Sequence, residues 1–268
     1  MGRAEHFIGF NGSRLYYNKS GVGPTPMILF HGFGQDNSAF EPWEADLSSQ
    51  YTFFAFDLYF HGKSTWPERQ ALEKSFWLET MTRFLEKEGI TNFEVAGFSL
   101  GGKFALAMIE GFPERISHVR LVAPDGVRTN FWYSLATYPT VMRHLFKSMV
   151  LKPGRFYTLA RIFRSFGLVN KGILRFAESQ MNTEEKRRRV YCSWVYFRHL
   201  RFDQSRIAAL INSHHFPVEV IAGHYDKVIP PKNLAPFAGL LRKGRFLVLE
   251  TGHNDLISKS LSIFNAAR

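Results

Sequence analysis

The sequence is poor in cysteine. Cys192 stands alone, so no internal disulfide can form and no thiolate cluster can hold zinc. The expected compartment is therefore a reducing one. Long apolar runs are also missing: no stretch reaches the roughly 18–20 consecutive apolar residues that a membrane-spanning helix needs. The start, Met1-Gly2-Arg3-Ala4-Glu5-His6, lacks the apolar centre of a secretory signal. Both absences lead to the expectation of a soluble, cytoplasmic chain. Internal repeats, low-complexity tracts, and Gly-x-Gly-x-x-Gly or Walker loops are absent as well, so no nucleotide cofactor is expected. His214, His215 and His224 have no carboxylate or second histidine at a helical ligand spacing, so no metal is expected either. Disorder is excluded by what is abundant, because 45% of the 268 residues are hydrophobic and 16% aromatic, enough to bury a sizeable core.

The formal net charge is +11. Residues 126–215 carry 16 Lys and Arg against 4 Asp and Glu, which leaves the remainder of the chain close to neutral. An imbalance confined to one segment suggests either a region that faces anions, such as acidic lipid headgroups, or a solvated surface. The run Glu184-Glu185-Lys186-Arg187-Arg188-Arg189 reads as an exposed helical face. No nucleic-acid reader motif accompanies the charge, so nucleic acid is not an expected partner.

Phe7–Phe10 and Ser13–Tyr17 are apolar or aromatic runs joined by Asn11-Gly12, a dipeptide suited to a type I′ turn, which predicts an antiparallel hairpin. Four short apolar runs follow, Met27–Phe30, Thr52–Phe56, Phe93–Phe98 and Val119–Ala123, alternating with helical segments at about 38–49, Arg69–Glu88 and Leu100–Gly111. That alternation predicts βαβ crossovers and a mostly parallel sheet. A long stretch without comparable strands then intervenes, rich in aromatics and arginine and helical in at least three pieces. One piece is Arg155–Leu168, whose apolar residues recur at helical spacing. Strand candidates resume at Val218–Ala222 and Phe246–Leu249, with helices at about 232–241 and from about 254.

The most informative residues are Gly97-Phe98-Ser99-Leu100-Gly101, set where an apolar strand ends and a helix begins. In a nucleophile elbow the serine occupies a sharp strand-to-helix turn, and side chains two positions away on either side would collide. The helix that follows aims N–H donors at any oxyanion formed there. A serine hydroxyl needs a base and an orienting acid. His253 follows the last strand candidate and Asp226 the one before it, giving the chain order Ser, Asp, His. Asp125, after the Val119–Ala123 strand, is the other candidate for the acid.

With these residues the chain resembles the α/β-hydrolase superfamily, in the type that carries a helical cap inserted after the sixth strand. The resemblance covers nearly the whole length. His31-Gly32-Phe33-Gly34 matches the family's His-Gly oxyanion motif, and Asp57-Leu58-Tyr59-Phe60-His61-Gly62-Lys63-Ser64 is similar to its usual Asp-x-x-Gly-His-Gly-x-Ser loop. Phe60 stands where glycine is usual, a departure that bears on the loop's shape. The resemblance implies an α/β fold with an eight-stranded, mostly parallel sheet and helices on both faces. It places the core at 1–125 and 213–268 and the cap at 126–212. It also implies an oxyanion hole from the backbone N–H groups of Phe33 and Leu100, with Gly32, Phe98 and Val228 as substrate-contacting neighbours.

Relatives that open epoxides or displace halide use aspartate at the elbow, so Ser99 directs the expectation to acyl chemistry on a small-molecule ester or related acyl substrate. The aromatic-rich insertion suggests an apolar acyl group and an esterase or lipase-like enzyme. The insertion's basic excess suggests peripheral contact with an anionic membrane. The alternatives are hydrolysis of a carbon–carbon bond in a diketone, and a non-catalytic ligand-binding or signalling role. Oligomeric state and the identity of the acyl and leaving groups are not encoded in any motif.

Overall fold

The computed structural model describes residues 4–67, 70–127, 137, 139–152, 154–155, 157–158 and 182–266. The strands are β1 (Ala4–Phe10), β2 (Ser13–Ser20), β3 (Thr25–Phe30), β4 (Tyr51–Phe56), β5 (Phe93–Phe98), β6 (Ile116–Val122), β7 (Val218–Gly223) and β8 (Gly244–Leu249). The helices are α1 (Glu41–Leu47), α2 (Lys74–Lys87), α3 (Gly101–Gly111), α4 (Thr140–Leu151), α5 (Glu184–Tyr196), α6 (Gln204–His214), α7 (Pro231–Ala238), α8 (Leu256–Lys259) and α9 (Leu261–Ala266).

The eight strands form one sheet in the order β1-β2-β4-β3-β5-β6-β7-β8. The two pairings at the β1 edge, β1 with β2 and β2 with β4, are antiparallel, and all the others are parallel. Asn11 and Gly12 take φ of 45° and 79°, the positive pair that a type I′ hairpin demands. The inner strands read as continuous apolar runs because helices cover both of their faces. Along β3, Met27 and Leu29 point into a cluster with Trp43, Leu256, Ile257 and Phe264, which belongs to α1, α8 and α9. Phe30 faces the other way, against Trp77 of α2 and Phe104 of α3, at centroid distances of 5.5 and 6.1 Å. The Trp43 indole N–H, buried with the first cluster, donates to the Ile257 carbonyl at 2.7 Å.

Charges cross the sheet near the amino-terminal ends of its later strands. The Arg120 guanidinium on β6 pairs with Glu94 on β5 and, at 3.2 Å, with Glu219 on β7. Glu219 also takes Arg245 of β8 at 3.2 Å. Arg120 and Glu219 are both buried, so each needs its partners to offset desolvation.

The chain divides into two compact units: Met1–Pro67 with Glu73–Arg128 and Leu200–Arg268, and Glu68–Leu72 with Thr129–His199. The sequence places the insertion at 126–212. The difference at its far end is α6, whose Ile207, Ala208 and Ile211 are buried and which packs with α3 and α7 of the first unit. In the second unit α4 lies against α5, with the Phe146 ring 5.6 Å from both Tyr191 and Trp194. The helix expected over Arg69–Glu88 begins at Lys74, since Ala71 and Leu72 are already buried ahead of it. The segment expected at 38–49 splits into a 3-10 turn, Asn37–Phe40, and α1. Apart from residues 155, 157 and 158, the amphipathic stripe expected over Arg155–Leu168 lies outside the described residues. No helix among the described residues is long and apolar enough to cross a membrane.

Candidate active site

Ser99 follows the last residue of β5 and starts the turn into α3. Its φ of 49° is left-handed, a conformation that costs a non-glycine residue roughly 1–2 kcal/mol. Three hydrogen bonds hold the turn. The Ser99 N–H donates to the Val122 carbonyl, and the Ser99 carbonyl accepts from Gly102 and from Asp125. The flanking glycines are required by close approach. A Cβ on Gly97 would lie 2.5 Å from the Gly101 carbonyl oxygen, and one on Gly101 would lie 2.0 Å from that of Phe30.

The loops after β7 and β8 bring two more side chains to this turn. His253 Nε2 lies 3.1 Å from Ser99 Oγ, and His253 Nδ1 lies 2.6 Å from Asp226 Oδ2. A carboxylate only accepts, so Nδ1 carries the proton and Nε2 presents a lone pair to the serine hydroxyl. Asp226 is 3% exposed. Its other oxygen accepts from the main-chain N–H groups of Val228 at 2.8 Å and Ile229 at 2.9 Å. The buried carboxylate is thus fully engaged, and its orientation is fixed by backbone rather than by another side chain. The Phe98 ring stacks against the imidazole at 4.9 Å.

Asp125 stands apart from this line. Its carboxylate pairs with Lys103 at 3.4 Å and accepts from the Gly126 N–H at 2.7 Å. Lys103 sits in the first turn of α3 with 5% exposure. A lysine in a helix that otherwise reads as small and apolar gives no sign of burial in the sequence.

The loop after β3 packs against the start of α3, where a Cβ on Gly101 would lie 2.8 Å from the His31 carbonyl oxygen. The Leu58 N–H donates to His31 Nε2 at 3.0 Å, so Nδ1 carries the proton and donates to the Gly32 carbonyl at 2.7 Å. Gln35 folds back and accepts from the Gly32 N–H at 2.9 Å. These bonds fix the loop's path, and no motif marks Gln35 for the task. The N–H groups of Phe33 and Leu100 donate to no main-chain acceptor among the described residues. N–H groups without a main-chain acceptor, at a helix start and in the loop after β3, are of the kind an oxyanion would use.

The Asp57 loop braces the same region. Asp57 Oδ1 accepts from Asn37 N and Nδ2, and Oδ2 accepts from the Lys63 N–H. Phe60 takes φ of 67°, which is the left-handed conformation glycine adopts freely. The loop therefore keeps the turn and Phe60 bears the strain. Of the other expected contacts, Gly32 and Phe98 are buried and pack on one another, whereas Val228 is 46% exposed.

Comparison with known proteins gives a consistent picture. A family model described as alpha/beta hydrolase fold matches residues 25–260. The dihydrolipoyllysine-residue acetyltransferase component of the acetoin cleaving system of Cupriavidus necator is 32% identical over 126 residues, which are 46% of this chain and 33% of that one. The 1-acylglycerol-3-phosphate O-acyltransferase ABHD5 of Mus musculus is 30% identical over 123 residues, 43% of this chain and 35% of that one. The matches thus span about a third of the length of these curated relatives. Among solved structures, a thermophilic esterase from Thermogutta terrifontis superposes with a TM-score of 0.70 at 16% identity, covering 100% of this chain and 97% of that one. With a family model covering most of its length, the chain belongs to the alpha/beta hydrolase fold family.

Proposed function

We propose that the protein is a serine hydrolase that cleaves carboxylic esters with an apolar acyl group through an acyl-enzyme on Ser99. The observation that carries this reading is the unbroken hydrogen-bond line from Ser99 Oγ through His253 to Asp226. Each of the three residues sits just beyond the carboxyl end of a different strand.

In this reading His253 Nε2 takes the hydroxyl proton as Ser99 Oγ attacks the ester carbonyl. Asp226 stabilises the resulting imidazolium and holds its tautomer. The N–H groups of Phe33 and Leu100 receive the negative charge that develops on the carbonyl oxygen. Removing one such donor in a serine hydrolase costs on the order of 2.7–4 kcal/mol in the barrier. The imidazolium returns its proton to the departing alkoxide, and the same histidine then activates the water that releases the acid. Strain at Ser99 supports the reading too, because a left-handed serine is tolerated where the position of its oxygen matters.

Support for an apolar acyl group comes from the aromatic-rich composition of the insertion that we assign as a cap. A second reading is favoured by the likeness to the mouse relative, an acyltransferase. There an alcohol replaces water in the second half-reaction, while the first half-reaction is unchanged.

The test is the hydrolysis rate of p-nitrophenyl esters of increasing acyl length, for the wild type and Ser99→Ala side by side. The expected loss is on the order of 10³-fold or more, with an optimum above the shortest acyl groups. A wild type inactive on every ester, or a Ser99→Ala protein of comparable rate, would refute the proposal.

A further inference from the structure

The chain carries no Asp or Glu from residue 126 to residue 177, a stretch that holds nine Lys and Arg. Within that stretch α4 is the longest described element, and its two sides differ in kind. One side is anchored. Phe146 stacks on Tyr191 and Trp194 of α5, the Arg187 side chain donates to the Val150 carbonyl at 2.9 Å, and Val150 is buried. The other side faces solvent with apolar residues that nothing among the described residues covers: Val141 is 78% exposed, Leu145 44% and Leu151 68%. Lys147, Lys152 and Arg155 are exposed with them. At 100° per residue, the exposed positions of α4 and its C-cap fall within an arc of about 160°.

We propose that this face of α4, with Lys152 and Arg155 after it, is a docking surface for an anionic phospholipid bilayer. A helix about 18 Å long that lies flat on a bilayer places its apolar residues at the acyl boundary and its cations among the headgroup phosphates. Charge complementarity selects the occupant. An acid-free stretch meets no repulsion from an anionic surface, and the lipid phase takes up the three apolar side chains that a polynucleotide would leave in water. Lysine and arginine stems reach outward while their charged ends stay at the headgroups. The face is built on packing within the second unit alone and does not depend on the acyl-hydrolase reading.

The experiment is co-sedimentation of the full chain with vesicles of phosphatidylcholine alone and of phosphatidylcholine mixed with phosphatidylglycerol, at low and high salt. The expected result is partition onto the mixed vesicles at low salt, and its loss on neutral vesicles and at high salt. Each cation near an anionic surface contributes about fivefold to partition, so Lys147→Gln/Lys152→Gln/Arg155→Gln is expected to weaken it on the order of 100-fold. Val141→Ser/Leu145→Ser/Leu151→Ser is expected to weaken it about tenfold or more without altering the salt dependence. Both triple variants should keep the wild-type melting temperature and, with no vesicles present, the wild-type rate on a short soluble p-nitrophenyl ester. No partition at low salt, equal partition onto neutral vesicles, or variants that bind like the wild type would overturn the proposal. A wild type that binds vesicles yet hydrolyses no ester refutes the acyl-hydrolase reading and leaves the docking surface standing.

Discussion

Replacing Asp226 by asparagine separates what the carboxylate does for the fold from what it does in the proposed proton relay. Oδ1 accepts two main-chain N–H groups, from Val228 and Ile229, at 2.8 and 2.9 Å. An asparagine keeps both bonds only by placing its carbonyl oxygen there. Its amide nitrogen then points at His253 Nδ1, where the carboxylate had accepted at 2.6 Å. Two donors cannot share that contact, so the imidazole must present Nδ1 as acceptor and carry its proton on Nε2. Nε2 then faces Ser99 Oγ with a hydrogen instead of a lone pair and cannot take the hydroxyl proton. In a serine protease the same exchange drops kcat by about 10⁴-fold, or roughly 5.5 kcal/mol of barrier, and a loss of that order is expected here. Stability should change little, whereas Asp226→Ala strands two buried N–H groups at about 1–3 kcal/mol each. Ester turnover and urea denaturation on both variants measure the two effects separately. An Asp226→Asn protein within about tenfold of wild-type kcat would refute the tautomer argument. If Asp125→Asn were the variant that lost the rate, the orienting acid would be Asp125.

Gly101→Ala is expected to destabilise the protein by about 3 kcal/mol, because the new Cβ would lie 2.0 Å from the main-chain oxygen of Phe30. A cost below about 1 kcal/mol in denaturant titration would show that the elbow yields more than its packing implies. Phe60→Gly removes a left-handed strain of roughly 1–2 kcal/mol and adds unfolded-state entropy of about 0.5–1 kcal/mol, so stability should hold or rise slightly. A drop beyond about 2 kcal/mol would mean that the aromatic ring carries packing that outweighs the strain. Burial, followed by the charges of Arg120 and Arg245, pushes the His118 imidazole down to about 3, outweighing the Glu219 carboxylate 3.7 Å away. Its folded value lies below its unfolded one. The stability contributed by the neutral ring is therefore full above about pH 6.5 and is lost as pH falls toward 3, by up to about 1.4 kcal/mol per unit. His118→Gln should flatten that decline, and parallel acid titrations of stability for the two proteins would contradict it.

Most of the sheet is legible in the sequence because the inner strands are covered on both faces and read as unbroken apolar runs. Phe93–Phe98 is bounded correctly at both ends; β3, β4 and β6 begin one to three residues before the expected runs, β6 ends one residue sooner, and β7 runs one residue longer. The meeting of Ser99, His253 and Asp226 is legible because the elbow's glycines and the loops after the last two strands mark those positions. Legibility fails where a polar residue is satisfied by a partner that no sequence pattern announces. Lys103 in α3 finds Asp125 after β6, and Gln35 serves the Gly32 N–H within its own loop. Periodicity reports how much of a residue is buried and not which partner satisfies it. The far limit of the second compact unit differs from residue 212 for a related reason. The pattern of α6 announces an amphipathic helix, but Ile207 and Ile211 would fit either compact unit equally well.

The ionic rung formed by Glu94, Arg120, Glu219 and Arg245 has a bearing on the opposite end of the sheet. The strands β6 and β7 are apolar enough that sliding one past the other by two residues would keep every side chain on its own face, and hydrophobicity alone scarcely opposes it. Arg120 does oppose it. It stands directly opposite Glu219 in the ladder, and a two-residue slide would bring Pro217 or Ile221 to that position and pull the buried Glu219 carboxylate away from the Arg120 guanidinium. The same slide would carry the loop bearing Asp226 about 6.6 Å along the strand direction, more than twice the 2.6 Å that separates it from His253. The alignment of the Ser99–His253–Asp226 hydrogen-bond line is thus indexed by charges that take no part in it, and substitutions at Arg120 or Glu219 should be felt first as misregistration of that line a strand's length away.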